Sequence, residues 1–204
     1  MCISQAREFY YCVGKINKQR RLAGIQVRWE KPPSNWFKLN TNGASCGNPR
    51  RAGGGGVIRD SAGKWVRGFA RSIGSTTSII AEFWALKDDL QLAIQLGVQY
   101  LEVELDAKVV LDVISFEKSP TAAYSYLLFD CKLLLEKIPH YTVKHVFREA
   151  NRSAVALARM GYNLHDNLVF FYYPPSDVIA ALVSADKKGE TFCRYAANLA
   201  ILVV

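Results

Sequence analysis

Most arrangements of reactive side chains in this 204-residue chain exclude a chemistry rather than suggest one. Five cysteines (Cys2, Cys12, Cys46, Cys131, Cys193) form no Cys-x-x-Cys pair, and His140, His145 and His165 lack zinc-finger spacing, which argues against a structural zinc site. There is no Gly-x-Ser-x-Gly, and no histidine has an evident nucleophile partner. The run Gly53 to Gly56 lacks the following Gly-Lys-Ser/Thr of a phosphate-binding loop, so close strand packing explains it better. Other polar residues have plain structural readings. Glu82 sits in the first turn of a helical stripe, where the helix dipole favours an acid. Asp106 closes an alternating stretch, where it could cap the next helix. Asn42 closes another, followed by Asn48-Pro49, a turn signal, and by Arg50 and Arg51. The two arginines read either as exposed turn charges or as phosphate contacts.

The elements that carry these residues follow from periodicity. Phe37, Leu39 and Thr41 alternate with Lys38, Asn40 and Asn42, as in a half-buried strand. Val57 to Asp60 starts a second strand and Trp65 to Ala70 a third, with Ser61 to Lys64 as the turn between them. The period then changes: Ile79, Phe83, Leu86, Leu90, Ala93 and Leu96 form a helix stripe, with Ser78 as expected N-cap and Gly97 as expected stop. Tyr100 to Asp106 reads as a strand, Ala107 to about Glu117 as a helix, and the stretch from Pro120 to Pro139 as another. Tyr141 to Phe147 is a fifth strand, with His145 as a packed or edge histidine, and Asn151 to Met160 is a short helix. Three strands in a meander, then helix-linked strands, imply an α/β fold with a five-stranded mixed sheet and helices packed on it.

Composition sets the frame. Hydrophobic residues make up 50% and charged residues 22% of the chain, ordinary globular values. The net charge of +8 suits a polyanionic partner. Residues 1–32 are a basic leader ended by Lys31-Pro32-Pro33, residues 33–163 hold the domain, and residues 164–204 form a tail in which Ser176 caps a short helix. No apolar signal core or bilayer-long segment is evident, so the sequence reads as soluble and intracellular with no membrane partner.

The segment from Phe37 to Asp60, with Ala81-Glu82, Leu101 to Asp106 and Arg148-Glu149-Ala150-Asn151, resembles the ribonuclease H type-1 domain in its divergent plant form, associated with retrotransposons and reverse transcriptases. The resemblance covers roughly residues 33–163. It implies an endoribonuclease that hydrolyses the RNA strand of RNA–DNA hybrids with two magnesium (or manganese) ions, held by four carboxylates. Two positions match, Glu82 and Asp106. The other two carry Asn42, whose amide brings no negative charge, and Val155, which offers no ligand atom. Glu149 and Asp166 lie near the last helix in sequence and could substitute. The resemblance also makes Asn48 a contact to the nucleic acid near a 2′-hydroxyl, with Arg50 and Arg51 beside it. The expectation is a ribonuclease H-like domain of weak or absent activity. The alternatives are a non-catalytic nucleic-acid-binding domain or a protein-interaction module of a decayed retroelement copy.

Overall fold

A computed structural model describes residues 23–47, 49–115 and 119–196. Contacts divide the chain into two compact units, Arg28–Thr191 and the two ends, Met1–Val27 with Phe192–Val204. Among the described residues of the ends, strand β1 (Ala23–Arg28) pairs with strand β8 (Thr191–Ala196) in a two-stranded sheet.

The larger unit runs β2 (Phe37–Ser45), β3 (Arg50–Arg59), β4 (Trp65–Thr76), α1 (Ser78–Gln95), β5 (Tyr100–Leu105), α2 (Lys108–Ile114), α3 (Ser125–Glu136), β6 (His140–His145), a 3-10 turn (Arg148–Ala150), α4 (Arg152–Gly161), β7 (Leu168–Phe171) and α5 (Asp177–Lys187). Its sheet has the order β6-β5-β2-β3-β4-β7. β5 lies parallel to β2 and β6 parallel to β5, while along β2-β3-β4-β7 each strand is antiparallel to its neighbour. The five-stranded sheet expected from the sequence thus gains a sixth strand. Leu168-Val169-Phe170-Phe171 has no alternation to mark it, and it becomes a strand by pairing with β4.

Packing explains the glycine run. A Cβ on Gly54 or Gly56 would press on α1, at Ala85 and Asp89, and one on Gly53 or Gly55 would strike the α4 backbone near Leu157 and Ala158. Four glycines in a row therefore let one helix approach each face of β3. On the α1 side lies the main core, which includes Leu39, Ile58, Phe69, Phe83, Leu86, Leu90 and Leu127. On the α4 side a smaller cluster joins Val57, Leu157 and Ile179.

Three local expectations change. Thr77, not Ser78, caps α1, its hydroxyl accepting from Ile80 N–H at 3.4 Å. Asp106 does not cap α2, which has no side-chain cap and ends at Ile114. β2 is not half-buried: Lys38, Asn40 and Asn42, read as its outer face, are 1%, 0% and 2% exposed. That face is covered, and it is stitched by charge. Lys38 Nζ reaches Glu102 at 2.7 Å and Glu104 at 2.5 Å. Arg59 bonds Asp186 of α5 at 2.9 Å and Asn40 at 2.6 Å, and Trp29 Nε1 donates to the same Asn40 oxygen at 2.9 Å. Ser176 caps α5 as expected. Among the described residues no helix is long and apolar enough to cross a membrane.

Candidate functional site

Parallel pairing of β2 with β5 sets Thr41 beside Leu105, so Asp106, the first residue after β5, comes level with Asn42, which stays in β2 opposite Gly55 of β3. Glu82 arrives from α1 just past its first turn, one residue further along the helix than the first-turn position expected from the sequence, because the helix starts at Ser78. Gly43 makes that approach close: a Cβ there would overlap the backbone of Ala81 and Glu82. Its N–H donates to Glu82 Oε2 at 2.7 Å. From the other side, Asn151 Nδ2 donates to the Thr41 carbonyl at 2.9 Å and anchors the start of α4 on β2. Val155, one turn along α4, is buried, and its N–H bonds the Asn151 carbonyl.

Electrostatics tie these residues together. Burial pushes the Glu82 carboxyl well above its ordinary value. The neighbouring Asp106 charge adds to the rise, and the Gly43 N–H and the Arg148 charge oppose it. Burial also raises Asp106, against Arg148, its own backbone N–H, Asn151 and His145. Asp106 Oδ1 and Asn151 Oδ1 are buried with no hydrogen-bond partner, as is Asn42 Nδ2. The arrangement is a recess at the carboxyl ends of β2 and β5, holding two acids that burial drives toward their neutral forms.

The structure therefore brings Asn42, Glu82 and Asp106 together and sets Val155 on the helix that packs over them. Arg50 and Arg51 lie exposed at the start of β3, where Arg51 Nη2 donates to Asn163 Oδ1 at 2.6 Å. Asn48 falls outside the described residues. Three neighbours were not singled out as site residues from the sequence. Arg148 and Asn151 stood in view only as parts of a motif spacing. His145, read as an edge histidine, is indeed exposed at the end of β6, edge-on to Phe147, but its charge also reaches Asp106. Glu149 is half-buried in the 3-10 turn and Asp166 is exposed.

The donors do not fit a pair of divalent ions. Hard cations need several anionic oxygens from separate elements. This recess offers two carboxylates, one of them bonded to Gly43, together with an amide and an aliphatic side chain. Among the described residues no group of three His, Cys, Asp or Glu is placed to hold a metal.

A mixed sheet with the meander first, a long helix carrying Glu82 on one face, α4 on the other, and Asp106 directly after the fifth strand beside Asn42 of the second defines a ribonuclease H-type domain. The solved structures agree. The N-terminal RNase H domain of a Mycobacterium tuberculosis protein superposes with a TM-score of 0.61 at 25% identity, over 63% of this chain and 94% of that one. RNase H1 of the archaeon Halobacterium salinarum gives 0.60 at 27%, over 62% and 96%. A compost-derived RNase H1 gives 0.59 at 27%, over 63% and 96%. By sequence, residues 40–161 match the family described as reverse transcriptase-like, and the chain belongs to that family. It is also 35% identical over 165 residues to an Arabidopsis thaliana protein named "Putative ribonuclease H protein", covering 81% of this chain but only 26% of that relative's length.

Proposed function

We propose that this domain binds RNA–DNA hybrid or RNA through the ribonuclease H surface but cleaves it weakly or not at all. One observation carries the reading: Asn42 and Val155 stand where the resemblance puts carboxylates, beside the retained Glu82 and Asp106. Two unit charges about 4 Å apart interact by roughly 4 kcal/mol at a surface-like dielectric. Losing two anions beside a divalent ion therefore weakens its binding by orders of magnitude. Glu82 and Asp106, both raised by burial, do not compensate. Nucleic-acid binding draws support from the net charge of +8, from exposed Arg50 and Arg148, and from the likeness to a solved RNase H1 whose structure was determined in complex with an RNA/DNA hybrid. The magnesium dependence of the ancestral reaction, and a plant retroelement origin, belong to this proposal as well.

The test is cleavage of a labelled hybrid in magnesium and in manganese, by the natural chain and by the double variant Asn42→Asp/Val155→Asp. The natural chain is expected to show no more than trace cutting. The variant should gain metal-dependent cutting of the RNA strand, and its melting temperature should rise with added magnesium while that of the natural chain stays put. Robust cutting by the natural chain overturns the proposal. A variant that neither cuts nor responds to magnesium shows that the recess is not the displaced metal site.

A further inference from the structure

The sheet ends in two different edges. β6 carries His140, Lys144 and His145 along an exposed strand, and Lys144 is drawn to Glu102. Charges of this kind keep an edge from pairing with another chain. At the other end β7 is Leu168-Val169-Phe170-Phe171, without a charge or a proline, and among the described residues nothing pairs with its outer side.

The register shows what that edge offers. Asn167 O accepts from Ser72 N–H at 2.9 Å, and the ladder continues with Leu168 opposite Arg71 and Val169 opposite Ala70. In an antiparallel pair the bonded residues alternate. Asn167, Val169 and Phe171 therefore turn their main-chain groups toward β4, and Leu168 and Phe170 turn theirs outward. Phe170 is also 42% exposed, against Phe69 on its inner side.

We propose that β7 is a self-pairing edge, through which two copies of this chain form a two-fold dimer with one continuous sheet. An antiparallel partner centred on Val169 sets Leu168 opposite Phe170 of the second copy, and Phe170 opposite its Leu168. Both outward residues of each copy are then bonded within the strand, giving four backbone hydrogen bonds and two apolar cross-strand pairs. The same register brings Asp166, which is exposed, opposite Tyr172 of the second copy. The Arg67 guanidinium lies 3.7 Å from the centroid of the Tyr172 ring. Each copy thus presents an acid at one end of the edge and a cation at the other, in the order that antiparallel pairing matches. This charge complementarity selects a second copy over an arbitrary extended peptide. Four main-chain bonds and two rim ion pairs make a small interface, so the dimer is a reversible one.

Sedimentation velocity of the full chain over two decades of concentration reads the proposal. The expected result is a monomer–dimer equilibrium, which Phe170→Lys shifts to monomer. Arg67→Glu should weaken association about tenfold through two reversed rim pairs. Arg67→Glu combined with Asp166→Arg should restore it, an outcome that loss of folding does not mimic. A monomer at every concentration overturns the proposal. So does a dimer that ignores both Phe170→Lys and the charge reversal, because it uses another surface. Failure of the charge swap to restore association overturns the register centred on Val169. Each of these outcomes is independent of whether the recess cleaves or binds nucleic acid.

Discussion

Replacing Asp89 by alanine should stabilise this protein, and the gain should grow with pH. Asp89 lies on the sheet-facing side of α1 at 0% exposure, and both of its carboxyl oxygens lack a hydrogen-bond partner. It packs on Gly56, where a Cβ would collide with it, and the nearby Thr41 hydroxyl interacts with it without forming a hydrogen bond of good geometry. Burial pushes the acid well above its ordinary value. The adjacent Asp88 adds to that rise and the Thr41 hydroxyl opposes it. The sign follows from linkage: the folded chain holds a proton that the unfolded chain releases, so this group's contribution is full below the unfolded carboxyl's titration and is lost as pH rises toward the folded value. Over that window the loss is about 1.4 kcal/mol per pH unit. Near neutrality, alanine removes that penalty and an unsatisfied polar group costing about 1–3 kcal/mol. It also improves helix propensity by about half a kcal/mol. Against this stands a cavity of about one carboxyl group, roughly 0.7 kcal/mol at about 24 cal/mol per Å³. The last three terms alone give a gain of about 1–3 kcal/mol, or about 2–12 °C in melting temperature for a chain of this length, and at pH 7.5 the titration penalty adds to it. Thermal melts of both proteins between pH 5 and 8, with the difference narrowing toward acid, check it. A loss of stability at pH 7.5, or a difference that does not change with pH, refutes the reasoning.

Two further outcomes can be measured on the same protein. Asp186→Ala strands Arg59, which burial already pulls below its ordinary value against the pull of Asp186; chemical denaturation should show a loss of about 3–5 kcal/mol. Asp186→Ala with Arg59→Met should recover much of it, and a single variant as stable as the natural chain would show that the pair does not hold α5. Affinity for an RNA–DNA hybrid, followed by fluorescence anisotropy, should fall linearly with log salt as phosphate-bound counterions are released. Salt-independent or undetectable binding would favour an interaction module instead.

The residues that the sequence determined are those whose pattern is local. Period-two alternation in Phe37 to Asn42, the helix stripe from Ile79 to Leu96, and the parallel connections implied by helices between later strands were legible because each depends only on neighbours along the chain. The glycine run was legible as close packing, though not that its alternate members serve helices on opposite faces. The pairing of Glu82 with Asp106, and the two substitutions beside them, came through motif spacing. Their charge state did not, because burial and the reach of Arg148 and His145 exist only once β2, α1, β5 and the 3-10 turn meet. Tertiary structure alone decided the rest. Lys38 and Asn40 read as the polar side of a half-buried strand, yet they and Arg59 are buried because α5 brings Asp186 and β5 brings Glu102 and Glu104 to satisfy them. β7 has no pattern of its own, and the free edge of β4 made it a strand. Alternation in a sequence says which side chains share a face; what covers that face depends on residues far away in the chain, and no local pattern encodes it.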